Sequence, residues 1–161
     1  MNKIISILLV IISLFSLCSC SKEAKFGFGE FCKRMSDEYQ IEINEANVSI
    51  EKDDGKNRLY CTLNSYLLVT YLGSNDNITG IAMLLTDESQ SDIATFYSYF
   101  IKCTCVFTGL GFDDVQKTLL DCDISPDIIK FADSNKVYTV GKFKYSVITN
   151  EKSITLFCER V

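Results

Sequence analysis

Apolar positions along the chain recur with two different periods, and the changes of period mark out the elements. Phe28, Phe31, Cys32, Met35 and Tyr39 follow the i, i+3, i+4, i+7, i+11 spacing of one helix face, with Cys32 at its centre. Alternation then takes over. Ile41 and Ile43 alternate with Glu42 and Asn44, and Val48 and Ile50 with Ser49 and Glu51, which predicts strand with an irregularity at residues 45–47. Leu59, Cys61 and Leu63 alternate with Tyr60 and Thr62, so Cys61 is expected to face a core. Tyr66–Leu72 and Ile78–Thr86 are rich in β-branched, aromatic and aliphatic residues and predict two more strands. Polar clusters at residues 53–57, 64–65 and 73–77 supply the turns. Short turns between consecutive strands imply an antiparallel meander.

The period returns to that of a helix after Thr86. Ser89 or Ser91 is the expected cap of a helix ending near Thr108. Apolar residues cover two stripes of it, one through Phe96, Phe100 and Phe107, the other through Tyr99, Cys103 and Val106. A helix apolar over so much of its circumference is expected to be buried on more than one side. Thr95, Ser98, Lys102 and Cys105 form its polar remainder. Gly109 and Gly111 end it. Asp113 with Gln116 resembles a capping box and opens another helix through Val115, Leu119 and Cys122. Ser125-Pro126 predicts a third short helical piece carrying Ile128, Ile129, Phe131 and Ala132. Three strands follow: Val137–Val140, Lys142–Thr149 and Ser153–Glu159, the last with Ile154, Leu156 and Cys158 on one face. The predicted order is α-ββββ-αα(α)-βββ. Segregated runs of strands and helices indicate an α+β fold, with helices packed on one face of an antiparallel sheet of about seven strands. A helix followed by a meander occurs twice, a pattern consistent with a diverged duplication, although no residue-level repeat is visible. No Pro- or Gly-rich linker divides the chain, so residues 28–161 are expected to form a single domain.

The first 20 residues stand apart. Lys3 is followed by an apolar run of about 14 residues, Ile4–Leu17, which suits a signal-peptide core and falls short of the ~20 residues of a membrane span. It ends in Leu17-Cys18-Ser19-Cys20. This tetrapeptide resembles the lipobox of bacterial lipoproteins, with Cys18 departing from the usual Ala, Ser or Thr. The resemblance implies cleavage after residue 19, a palmitate-type acyl anchor on Cys20, and residues 20–27 as lipidated cysteine and short tether. The leader is similar in type to those of small exported lipoproteins of low-GC Gram-positive bacteria. An ordinary secretory leader cut near Ser19 is the alternative. Nothing in residues 21–161 resembles a specific family.

Charge sharpens this picture. Lys and Arg number 16 against 21 Asp and Glu, and without Lys3 the balance is 15 against 21, or −6. Such a chain lacks the basic stripe that phosphate neutralisation demands, so nucleic acid is not an expected partner. It is also repelled by anionic headgroups, leaving the lipid anchor to hold it to the extracytoplasmic face of a membrane. Of eight cysteines, Cys18 leaves with the leader and Cys20 takes the lipid; Cys32, Cys61, Cys103, Cys105, Cys122 and Cys158 remain. They form either disulfides, as export invites, or buried small hydrophobes. Cys103 reads as core. Cys105 is open to either state, and Cys105–Cys122, across the predicted helical hairpin, is the candidate disulfide. Cys61 and Cys158 would meet if their strands were neighbours.

Catalytic chemistry finds little footing. The chain has no histidine, which removes the commonest general base and the usual zinc ligand. No nucleophile elbow, phosphate loop or dinucleotide fingerprint occurs. Cys103 and Cys105, two apart on a helix, point ~200° away from each other and cannot share a metal. Acidic pairs at residues 53–54, 87–88 and 113–114 fall in turns or at helix starts. Asn75–Gly80 resembles part of a calcium loop, but Thr86 stands where the bidentate glutamate belongs. Tyr60, Tyr66, Tyr138 and Tyr145 are either half-buried strand tyrosines, the favoured reading, or a binding surface on the outward sheet face. The expectation is therefore a lipid-anchored, non-enzymatic binding or accessory domain, without metal or cofactor, that meets a protein partner at the cell envelope. The alternatives are a cysteine-based redox enzyme and an inhibitor or immunity lipoprotein.

Overall fold

The computed structural model describes residues 26–44, 47–53, 56–86, 92–129 and 133–161. Helix α1 spans Phe28–Tyr39 and is followed by strands β1 (Ser49–Asp53), β2 (Lys56–Leu63), β3 (Tyr66–Leu72) and β4 (Ile78–Thr86). Helices α2 (Ile93–Thr108) and α3 (Phe112–Asp121) come next, then β5 (Ser134–Val140), β6 (Phe143–Thr149) and β7 (Ser153–Arg160). The order α-ββββ-αα-βββ is the predicted α+β arrangement. All seven strands form one antiparallel sheet in the order β1-β2-β3-β4-β7-β6-β5. Two meanders thus meet through their last strands.

Register decides which side chains meet the helices. Successive residues of a strand point to opposite faces, so paired residues share a face across the sheet. Leu59, Thr70, Ile81, Cys158 and Tyr145 form one inward row; Cys61, Leu68, Met83, Leu156 and Val147 form the next; Leu63, Tyr66, Leu85, Ile154 and Thr149 form a third. Helix α2 lies over β4 and buries Phe96, Phe100, Ile101, Cys103 and Val106 against these rows. Helices α1 and α3 pack on α2, adding Phe31, Met35, Val115 and Leu119 to the same core. Because α2 touches the sheet below and helices at its sides, nine of its residues are buried, as its two apolar stripes predict.

Local chemistry sets the helix ends. Asp92, rather than Ser89 or Ser91, caps α2: its carboxylate accepts from the Thr95 backbone N–H and from the Thr95 hydroxyl. Those hydrogen bonds hold the Asp92 carboxyl below its ordinary value. Ser89 and Ser91 lie outside the described residues. Gly109 ends the helix at φ 74°, its N–H bonded to the Cys105 carbonyl at 2.8 Å. Helix α3 is capped by Gly111, two residues before the predicted cap Asp113, and Asp113 and Asp114 sit exposed in the first turn. The third helical piece does not develop over its described part. Ser125 accepts from the Ile128 and Ile129 N–H groups, giving a single turn whose continuation at 130–132 lies outside the described residues. Residues 41–44 also depart from expectation. Gln40 enters the left-handed region at φ 54°, and Ile41 and Ile43 then pack on the core as irregular chain instead of strand.

The antiparallel sheet has two distinct ends. One carries the β3–β4 turn (residues 73–77), the β5–β6 turn (residues 141–142), the start of β6 and the end of β7. The other carries the β2–β3 turn at Asn64-Ser65 and the β6–β7 turn at residues 150–152. The chain enters at the first of these ends, where the Phe26 carbonyl accepts from the N–H of Ile78 at 2.9 Å.

The core generates two stability predictions. Phe96 is fully buried and meets the Tyr66 ring edge-on, centroids 5.3 Å apart. Phe96→Ala should cost about 3–5 kcal/mol in urea unfolding, at unchanged m-value. Thr70 is fully buried, and its hydroxyl has no hydrogen-bond partner among the described residues. Thr70→Val should raise stability by about 1 kcal/mol in the same assay, because a desolvated hydroxyl is replaced by a methyl group.

Candidate functional site

All three helices pack on one face of the sheet, and the opposite face carries no layer of secondary structure among the described residues. Its rows are Tyr60, Val69, Ala82, Phe157, Ser146 and Val137, and beside them Leu67, Leu84, Thr155 and Ile148. Val69 and Ala82 are buried there by their own neighbours and do not belong to the helix-side core. Val137 and Ile148 are 54% and 41% exposed, which is high for large apolar residues on a sheet.

A hollow of about 300 Å³ opens on this face. Gly80 leaves it without a side chain, Tyr71, Phe157 and Ile148 wall it, and Ser146 and Glu159 supply polar groups. Glycine is favoured here by packing. A Cβ on Gly80 would lie 3.1 Å from the Glu159 Cβ and 3.3 Å from the Cys158 carbonyl oxygen, both on the neighbouring strand. Charges gather around the rim. Glu159 pairs with Lys144, and the Arg58 guanidinium lies 5.6 Å from the centroid of the Tyr71 ring. Burial raises the Tyr71 phenol above its ordinary value, partly opposed by Arg58 and reinforced by Glu159.

The tyrosines named from the sequence do not share an outward face. Tyr66 and Tyr145 are fully buried under the helices, and Tyr138 belongs to their inward face. Only Tyr60 lies outward, joined by Tyr71. Parity explains the distribution. Tyr66 pairs with Leu63 and Tyr145 with Cys158, both inward residues, so each tyrosine must point inward too.

The six described cysteines are all buried thiols outside any disulfide. Cys105 and Cys122, the candidate bridge, stand as two such thiols, 1% and 3% exposed. Cys105 is not on a polar face: α1 covers it, and the Tyr39 hydroxyl donates to its sulfur. Cys158 accepts similarly from Tyr145. Cys61 and Cys158 do not meet, because β3 and β4 lie between their strands. Desolvation pushes the Cys61 thiol up to about 11 and Cys158 to about 12, and raises Cys103, Cys105 and Cys122 as well. A nucleophilic cysteine needs the opposite shift.

Cys20 lies outside the described residues, as do Asp54, Asp87 and Glu88 of the acidic pairs. Among the described residues no group of three or more His, Cys, Asp or Glu could hold a metal ion. No single described helix is long and apolar enough to cross a membrane. No protein-family profile, curated protein or solved structure matches the chain.

The thiols set a pH dependence. Below the ordinary thiol value of 9.0 both folded and unfolded chains keep their thiol protons. Above it the unfolded chain loses protons that the folded chain retains, so the stability from burial is lost progressively toward about 11 for Cys61 and about 12 for Cys158. The urea midpoint should hold steady between about pH 7 and 8 and fall above about pH 9. Cys61→Ala should flatten that fall. At pH 8 the described thiols of the folded protein should resist a disulfide reagent that labels all of them in urea.

Proposed function

We propose that the chain is a lipid-anchored, extracytoplasmic accessory domain that binds a protein of the cell envelope through the open face of its sheet and performs no catalysis. One observation carries this reading. Among the described residues, a seven-stranded sheet has its helices on one face, and the other face presents Tyr71, Phe157 and Ile148 around a hollow, with Val137 exposed on the same face. Exposed apolar surface of this kind, rimmed by charge, is characteristic of interaction sites. The lipobox-like Leu17-Cys18-Ser19-Cys20 supports the anchor. A cysteine-based redox enzyme has less support, since every described thiol is buried and burial raises Cys61, Cys103, Cys105, Cys122 and Cys158 above the ordinary thiol value.

Two measurements test the proposal. Mass spectrometry of membrane-extracted protein should find a mature N-terminus at an acylated Cys20, and Cys20→Ala should release the protein from membranes. An unacylated N-terminus beyond Cys20 would defeat the anchor. For the face, the native protein should be cross-linked to its partner in intact membranes. Ile148→Lys with Val137→Lys replaces two exposed side chains and should leave the urea midpoint within about 0.5 kcal/mol of wild type. It should weaken capture of that partner at least tenfold. Undiminished capture would move the binding surface elsewhere.

A further inference from the structure

We propose that the end of the sheet carrying the 73–77 and 141–142 turns rests against the lipid bilayer, so that the domain stands upright with the Asn64-Ser65 and 150–152 turns pointing away. This deepens the proposed function and rests on Cys20 as the acylated residue.

The placement follows from where the chain enters the fold. Phe26 is the first described residue, and its carbonyl is bonded to the N–H of Ile78 at the start of β4. Its ring packs edge-on against Phe31 at 6.4 Å, and the Arg34 guanidinium covers it at 5.8 Å. Phe26 is therefore fixed to one end of the sheet by backbone and side chain together. From Cys20 to Phe26 the chain advances six residues, at most about 20 Å when fully extended. The nine residues of β4 run from that end to the other, a span of about 27 Å at the strand rise. An acylated Cys20 cannot leave the bilayer, so the 73–77 end stays within tether length of the headgroups. The far end reaches them only if the domain lies down.

Charge opposes lying on the helices. Their outer surface carries more acid than base, with Glu30, Asp37, Glu38, Asp113, Asp114 and Asp121 against Lys33, Arg34, Lys102 and Lys117, and a bilayer containing anionic lipid repels the excess. The tethered end mixes signs, with Arg58, Lys142, Lys144 and Arg160 against Asp76 and Glu159. It carries no such barrier, whatever the net charge of the whole chain. In the upright pose the open face looks sideways along the membrane, and the hollow over Gly80 lies at the membrane-proximal end.

The chain contains no tryptophan, so one introduced Trp reports alone. The acylated protein is reconstituted into vesicles of phosphatidylcholine with a minor share of phosphatidylglycerol and dansyl-labelled headgroups. Trp replaces exposed turn residues at the near end (Lys142→Trp, Asn75→Trp) or at the far end (Ser65→Trp, Glu151→Trp), two at each so that one misfolded variant does not decide the result. Energy transfer to dansyl should be several-fold more efficient from both near-end positions. Equal or reversed transfer from protein that floats with the vesicles overturns the upright pose and leaves the anchor standing. Protein that fails to float overturns the anchor, and the pose with it.

Discussion

Strands β4 and β7 pair over seven consecutive registered positions, from Gly80 with Glu159 to Thr86 with Ser153, although 67 positions separate Thr86 from Ser153 in the chain. Each meander could form from local turns alone. Only this contact joins them into one sheet, and only the joined sheet is wide enough to bury α2. Closing a long excursion costs little extra per added residue, since each doubling of loop length adds only about 0.6 kcal/mol. The excursion is also ordered by packing, because α2 lies on β4 and brings α3 with it. Gly80 belongs to the same constraint: a side chain there would press on the backbone and Cβ of β7. Pairing of this range forms slowly compared with the hairpins, so the joined sheet is expected to assemble late.

The sequence was most readable where one period ran uninterrupted. The bounds of β3 and β4 follow directly from their apolar runs and flanking turns, and the double stripe of α2 announced its burial. Reading failed where a distant contact overrode a local pattern. Ile41 and Ile43 alternate like strand residues, but Gln40 turns the chain and they pair with no strand among the described residues. Ile50 alternates as an inward residue, yet β1 is the outermost strand and leaves it 67% exposed. At Ser125-Pro126 a good helix start yields one turn.

The candidate site was readable only in part. Cys61, Cys103 and Cys158 fall on apolar faces, and their burial could be anticipated. Cys105 falls among polar residues of α2, and its cover comes from Tyr39, 66 positions earlier, which no local period reveals. The open face has no motif at all. Its residues are the outward members of alternating strands, and identifying them takes the register across six strand pairs. Gly80 was the available clue, since a glycine within a strand signals close approach of backbone.

The bond between Phe26 and Ile78 also determines how the domain would carry force. A pull on an anchored N-terminus arrives first at that single backbone hydrogen bond and at the aromatic contacts of Phe26. Behind them stands β4, an interior strand laced to β3 on one side and β7 on the other. The weak junction therefore yields before the sheet does. Under tension α1 would peel from its first turn, lengthening the tether while the seven strands keep their pairing, so that the attachment behaves as a strain-relief joint in front of a stiff body.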